Sequence, residues 1–277
     1  MADQKPSDDP REEFLKKFEK LQQLSTKILH QAQYSPRVKK EEIFLTQNPF
    51  PLVAFLFAKA QDKRSRSFSL LLKNDFYQDA EAIARMMAEA YFHLRYILMD
   101  KKEHAVMWLH YYNIEALKEL EKRKEKVQTD ETTALYKKVK FFGKDYLRKN
   151  KLEVFQNSSK PSWKWFRENW HPEKNLSDLI KKLTDNPDPS KFMDNSIYNF
   201  FYSSVSQWIH SSPFCMINFI DDNDVPIINF FKNSQIELAM IVAYLSLSYS
   251  LHILATELEY AESELVLKLV QELNLIF

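Results

Sequence analysis

The stretch that decides the fold is AEAIARMMAEAYFHLRYIL, residues 80–98. On a helix drawn through it, apolar side chains occupy nearly every side, with Met87 and Leu94 on one side and Phe92 on another. A helix that is apolar all round is buried by its neighbours. We therefore predict a central helix over about residues 75–100, in an all-α fold that is a multi-helix bundle.

Apolar residues at helical spacing continue on both sides of this stretch. They predict further helices over residues 11–33, 53–73, 104–126, 129–150, 176–183, 192–210, 233–260 and 262–274. The exception is FCMINFIDDNDVPIINFF, residues 214–231, where two β-prone apolar runs flank a polar centre. This segment predicts a small β-hairpin or an extended excursion, and Pro226 weakens the second strand.

Composition narrows the classes of protein. Gly143 is the single glycine in 277 residues. This excludes Gly-rich phosphate loops and disfavours folds with many tight β-turns. The 39 basic and 38 acidic residues leave a net charge of +1, so no global basic field favours nucleic acid or an anionic membrane. The single Cys215 excludes a disulfide framework or a Cys-rich metal site and suits a reducing compartment.

The N-terminal residues are polar and lack the apolar core of a signal peptide. We predict a disordered segment over residues 1–10, one helical domain over residues 11–277, and a cytoplasmic location. The run LAMIVAYLSLSYSLHILAT, residues 238–256, lacks Asp, Glu, Lys and Arg and approaches the length of a membrane span. Its several serines, its His252 and the absence of flanking basic clusters favour a buried bundle helix over a membrane span.

Two series of polar side chains interrupt otherwise apolar helices. Arg85, Glu89 and His93 follow one another at four-residue spacing, so they lie along one side of the central helix and form a first polar ladder. We expect Arg85 and Glu89 to be at least partly buried, which requires that each be paired. They can pair with each other, but Arg before Glu is the less favourable order within a helix, which suggests partners elsewhere.

Tyr202, Ser206 and His210 repeat this spacing and form a second polar ladder on a predicted helix. His210 ends that helix, where the helix dipole favours the imidazolium form. With a Ser hydroxyl and a Glu within reach, His210 can act as a general acid or base. A histidine at a helix end can equally be structural, held by one hydrogen bond, and both interpretations stay open.

A third polar segment mixes tryptophans with basic residues: Trp163, Lys164, Trp165 and Arg167. Such a mixture can form a stacking platform for single-stranded nucleic acid, or the tryptophans can plug the side of the bundle. We predict no metal site and no cofactor. The chain has no paired Glu-x-x-His segments, and a six-residue spacing places His104 and His110 on different helical faces.

The sequence resembles a known family at the two ladders. AEAIARMMAEAYFHLRYIL resembles the Ala-x-x-apolar-x-Arg-x-x-x-Glu helix of the bacterial family catalogued as domain of unknown function 5677. YSSVSQWIHSSP, residues 202–213, is similar to that family's Tyr-x-x-x-Ser-x-x-x-His signature. The resemblance covers about residues 45–260. It implies that the family-typical positions are Arg85, Glu89, Tyr202, Ser206 and His210.

The His-terminated helix is also loosely similar to HEPN helical nucleases and nucleotide-binding domains. Those nucleases carry an Arg a few residues before the His on one helix, whereas residues 200–209 contain no Arg, so Arg85 would have to supply the charge. Two functions follow from the sequence. One is a binding or scaffold module with a buried polar network, whose partner is RNA, a protein or a second copy of the chain. The other is a metal-independent RNase or nucleotide-handling enzyme of a defence or toxin–antitoxin system.

Overall fold

The computed structural model describes residues 10–39, 48–105, 108, 179–180, 183 and 235–273. Across these ranges the chain is an all-α bundle, as predicted, and no strand occurs in them. The helices are α1 (Pro10–Ala32), α2 (Phe50–Lys73), α3 (Tyr77–Met99), α4 (Gln235–Glu257) and α5 (Glu262–Leu273), with a 3-10 turn at Pro36–Val38. The predicted hairpin or excursion at 214–231 lies outside the described residues.

The chain divides into two compact units, one formed by Met1–Arg95 with Ile180–Phe277 and the other by Tyr96–Leu179. Helices α1, α2, α4 and α5 belong to the first unit, together with α3 as far as Arg95. The single domain expected over residues 11–277 stays a prediction. So does the disorder expected at the N-terminus, because the description begins at Pro10.

Helix α4 occupies the centre of the first unit. It packs along α2, α5 and α1, and α1 in turn packs on α2 and α5. Every residue from Val242 to Leu251 is buried, including three serines. Helix α4 is also long and apolar enough to cross a membrane, over Ile236–Glu257 with a mean hydropathy of 1.7, but 78% of its most apolar window is buried. A core helix of a soluble bundle has the same composition and the same burial.

An aromatic cluster holds α1 and α2 against α4. The rings of Phe14 and Phe18 meet Phe68 of α2 edge-on, and both also contact the ring of Tyr244 on α4 at 6.2 and 5.8 Å between centroids. All four side chains are fully buried. Burying one such ring contributes about 1.5–3 kcal/mol, so this cluster is a principal source of stability. The Tyr244 hydroxyl donates a hydrogen bond to the Leu269 carbonyl of α5 at 3.0 Å.

Helix α3 makes both polar and aromatic contacts with its neighbours. The Gln61 side-chain amide of α2 donates a hydrogen bond to the Met87 carbonyl at 2.8 Å. The rings of Tyr91 and Tyr249 on α4 lie 4.7 Å apart. As predicted for a central helix, α3 is buried on most sides along its length.

Helices α2 and α4 both end in a Schellman motif without glycine. After α2, the Phe76 amide donates to the Leu71 carbonyl and the Asp75 amide to the Leu72 carbonyl, with Asp75 at φ 61°. After α4, the Tyr260 amide donates to the Ala255 carbonyl, with Glu259 at φ 60°. Glycine is the usual residue at this left-handed position. At both of these helix ends an acidic residue therefore occupies the left-handed position that glycine usually takes.

Candidate functional site

The first polar ladder lies on α3 as the spacing predicted. The Arg85 Nε donates to Glu89 Oε1 at 3.1 Å, so these two side chains pair with each other within the helix. The Arg85 side chain is 11% exposed and that of Glu89 is 34% exposed, which confirms that both are partly buried. His93, one turn further on, is half-buried. The pair forms in the less favourable Arg-before-Glu order.

Helix α2 contributes a second guanidinium, from Arg64. Its Nη1 donates to the Met86 carbonyl at 3.3 Å, which holds the side chain over α3. Burial lowers the pKa of Arg64 from its ordinary value, while the charge of Glu89 opposes that effect. Glu89 therefore pairs with Arg85 and also interacts with the charge of Arg64, while the ion-pair partner outside α3 that the unfavourable order suggested stays a prediction. Arg64 was missed because its sequence neighbourhood, DKRSRS, has the composition of an ordinary solvated face.

Glu81 lies one turn before Arg85, on the same side of α3, and is fully buried. Neither of its carboxylate oxygens has a hydrogen-bond partner in the part of the chain that the structure describes. Burial raises the pKa of Glu81 to about 7. Its spacing, four residues before Arg85 as Glu89 is four residues after, was the signal that could have identified it. This residue gives α3 a carboxyl group that titrates near neutral pH.

A basic side chain of α3 and a histidine beyond its C-terminal end also have defined partners. The Arg95 guanidinium lies 5.8 Å from the centroid of the Tyr91 ring, a cation–π geometry, and the residue is only 8% exposed. In the second unit, the His104 ring stacks on the Tyr96 ring at 4.2 Å. Its Nδ1 lies 2.7 Å from the Tyr96 carbonyl oxygen. Because that oxygen only accepts, Nδ1 carries the hydrogen and Nε2 is the basic nitrogen of the neutral ring.

The remaining predicted site residues lie outside the described residues. They are Tyr202, Ser206 and His210 of the second polar ladder, and Trp163, Lys164, Trp165 and Arg167 of the Trp-rich segment. Their proximity to α3 therefore stays a prediction. Within the described ranges, no group of three or more His, Cys, Asp or Glu side chains is placed to hold a metal ion.

The described part of the site thus combines two guanidinium groups, one shared carboxylate and one buried carboxyl group. Guanidinium groups can hold a carboxylate or a phosphate through paired hydrogen bonds. A carboxyl group that titrates near neutral pH can exchange a proton under physiological conditions. Fold and site together define the class of protein as an all-α bundle with a charged side on an otherwise buried helix.

The family model described as Family of unknown function (DUF5677) matches residues 52–226, more than half of the chain, and the chain belongs to this family. The match includes both segments that carried the resemblance, residues 80–98 and 202–213, and it is shorter at its C-terminal end than the 45–260 expected. Helix α1, α4 and α5 lie outside it, although α1 and α4 complete the core around α2. No curated protein and no solved structure matches the chain.

Proposed function

We propose that this chain is a cytoplasmic binding or scaffold module, in which the charged side of α3 is a structural network. The observation that supports it is the ion pair between Arg85 and Glu89. The guanidinium that an RNA-cleaving site would need is nearly buried and already holds a carboxylate of its own helix. The surface that binds the partner then lies elsewhere on the bundle, and the partner is a protein, an RNA or a second copy of the chain.

Energetics favour this structural role. Removing Arg85 leaves Glu89 only Arg64 as a flanking cation, and a carboxylate that loses a partner in a partly buried position is costly. An uncharged hydrogen bond also joins α2 to α3: Gln61, about one turn before Arg64 on α2, donates to the Met87 carbonyl. Arg64, Gln61 and the ladder together fix the register of α2 against α3. A module that binds through its surface benefits from such a rigid interior, because a binding surface that must become ordered on contact loses affinity.

The test compares the free energy of unfolding of Arg85→Ala with that of Arg66→Ala. Arg66 makes a matched i,i+4 pair with Asp62, but its side chain is 50% exposed. We expect Arg85→Ala to lower the free energy of unfolding by about 1–3 kcal/mol. The Arg66→Ala change should have a smaller effect, because exposed pairs contribute little.

The same proteins are incubated with a fluorescent RNA oligonucleotide without added metal, and we expect no cleavage by the wild type. The proposal fails if the wild type cleaves RNA and Arg85→Lys abolishes cleavage while leaving stability unchanged. It also fails if Arg85→Ala and Arg66→Ala are equally harmless, because the network would then not be structural.

The alternative is a metal-independent RNase or nucleotide-handling enzyme, and one observation favours it. Arg64 and Arg85 flank a single carboxylate, so this part of the site has more cationic than anionic charge, which suits a phosphate. In that enzyme His210 is the acid or base, Arg85 stabilises the developing charge, and Glu89, Tyr202 and Ser206 orient the groups. His210→Ala would then abolish cleavage of the oligonucleotide without changing the free energy of unfolding.

A further inference from the structure

Arg85 stands midway between two carboxyl groups of α3. Glu81 lies four residues before it and Glu89 four residues after it, and side chains at this spacing are neighbours on a helix. Arg85 Nε is bonded to Glu89 at 3.1 Å. Among the described residues Glu81 has no hydrogen-bond partner, although a guanidinium is anchored one turn away. Arg85 therefore pairs with Glu89, which is one of the two carboxyl groups that four-residue spacing places beside it.

Glu81 and Glu89 differ in how costly their ionised forms are without a cation. Glu81 is fully buried, so its ionised form is costly unless a cation accompanies it. Glu89 is 34% exposed and also feels the charge of Arg64, so its ionised form without Arg85 costs less than an ionised Glu81 without a cation. Helix geometry also favours pairing of Arg85 with Glu81, because an acid four residues before a base is the better of the two orders within a helix. An ionised Glu81 therefore competes well with Glu89 for Arg85.

We propose that Arg85 exchanges from Glu89 to Glu81 when Glu81 loses its proton, so that the charged side of α3 is a proton-linked switch. In the protonated state Glu81 is neutral and Arg85 holds Glu89. On deprotonation the proton passes to solvent, the Glu81 carboxylate accepts the Arg85 guanidinium hydrogen bonds, and Glu89 remains with Arg64. This switch goes beyond the binding role proposed above and does not depend on which partner is bound.

The described residues place several titratable or charged groups near this switch. On α3 itself the titratable neighbours are Tyr77, one turn before Glu81, and His93, one turn after Glu89. The Tyr77 hydroxyl donates to Asp75 at 2.6 Å and accepts a hydrogen bond from Arg11 of α1. Helix α2 contributes Arg64, which faces Glu89. Burial is the cause of the raised pKa of Glu81, with no charged side chain of the described residues adding to it.

The test is an NMR titration of the intact chain from about pH 5 to about pH 9, a range that spans neutrality. It follows the side-chain carboxyl carbons of glutamate and the Nε–Hε signal of Arg85. We expect Glu81 to titrate near neutral pH and the Arg85 signal to move with the same midpoint. A stationary Arg85 signal during the Glu81 titration would overturn the proposal, and so would a Glu81 that stays protonated throughout.

Two variants distinguish an exchange of Arg85 between Glu89 and Glu81 from a titration of Glu81 that leaves Arg85 in place. In Glu81→Gln, which keeps the shape of the side chain, the Arg85 signal should no longer change near neutral pH. In Glu89→Gln the competing acid is gone, so Glu81 no longer competes with Glu89 for Arg85 and the midpoint of Glu81 should fall by about one pH unit or more. An unchanged midpoint in Glu89→Gln contradicts the exchange.

The matched control is Glu19→Gln, an exposed position of α1 that should leave both signals unaltered. If Glu81→Gln does not fold, the wild-type titration and the Glu89→Gln midpoint still decide the outcome.

Discussion

At the scale of single residues, Glu81 links the stability of the bundle to pH. Its carboxyl group is fully buried and burial raises its pKa to about 7, above the ordinary value of 4.5. Between these two values the folded chain holds the proton more tightly than the unfolded chain does. Stability therefore falls as pH rises from about 4.5 through about 7, and the penalty is complete above that range.

We predict that Glu81→Gln removes this dependence. The full penalty corresponds to about 3 kcal/mol, reduced by whatever pairing with Arg85 restores. Relative to the wild type, the variant should gain stability at pH values above about 7 and show little gain near pH 5. Urea unfolding at the two pH values measures the difference, with Glu19→Gln as the exposed control. The same pH slope in wild type and Glu81→Gln would contradict the prediction.

Sequence reasoning reached part of this site at the residue scale. The Arg85–Glu89 contact followed from four-residue spacing, because helix geometry alone brings those side chains together. Arg64 did not follow, since its approach to Glu89 depends on how α2 packs on α3. Glu81 did not follow either, because a glutamate near the start of a helix is ordinarily a solvated residue that favours the helix dipole. Burial on that side of α3 is a property of packing, which a single sequence does not display.

At the scale of helices, the two Schellman motifs put non-glycine residues in a strained conformation. Asp75 and Glu259 both have φ near 60°, a region that costs a residue with a Cβ roughly 1 kcal/mol or more. Asp75 is compensated by its ion pair with Arg11 and its hydrogen bond from Tyr77. Glu259 has only the exposed pair with Arg37, so its strain is the less compensated of the two.

We predict that Glu259→Gly is more stable than Glu259→Ala by about 1 kcal/mol. Both variants lose the carboxylate that pairs with Arg37, so the comparison isolates the backbone. Glycine reaches the left-handed region without strain, whereas alanine retains the steric clash. Thermal unfolding of the two variants measures the difference, and equal midpoints, or a more stable alanine variant, would show that the position is not strained.

The bounds of the five described helices were largely predictable. The predicted ends lie within three residues of the observed ones, because the apolar spacing that buries each helix also defines its extent. One of the two differences of three residues is at the end of α4, and the other is at the start of α2, which begins at Phe50 instead of Val53. Pro51 stands there in the first turn, where a proline's missing amide hydrogen is not needed.

At the scale of the whole molecule, the burial of α4 bears on whether the chain stays in solution or enters a membrane. The helix meets the length and composition of a membrane span, yet α1, α2 and α5 cover it. Lipid and a protein core select similar apolar side chains, and the serines and His252 of this helix only favoured the core. The packing of α1, α2 and α5 on α4 supports the same interpretation, because these helices bury it within the bundle.

We predict that the chain, expressed in bacterial cells, stays in the supernatant after ultracentrifugation without detergent. Phe18→Asp should move it to the pellet, because this fully buried ring covers Tyr244 of α4 and a charge there separates α1 from α4. Phe76→Asp is the control, since that ring is 57% exposed. A wild-type chain that sediments with membranes and is released only by detergent would contradict the prediction.

The position of α4 along the chain has a consequence for synthesis on the ribosome. Helices α1 and α2, which cover it, precede it by more than 160 residues, so they leave the exit tunnel well before the apolar helix is made. When α4 emerges, a docking surface is already present, and the nascent chain need not expose a membrane-like segment to the targeting machinery for long. Chain order therefore shortens the time for which this apolar helix is exposed before α1 and α2 can cover it.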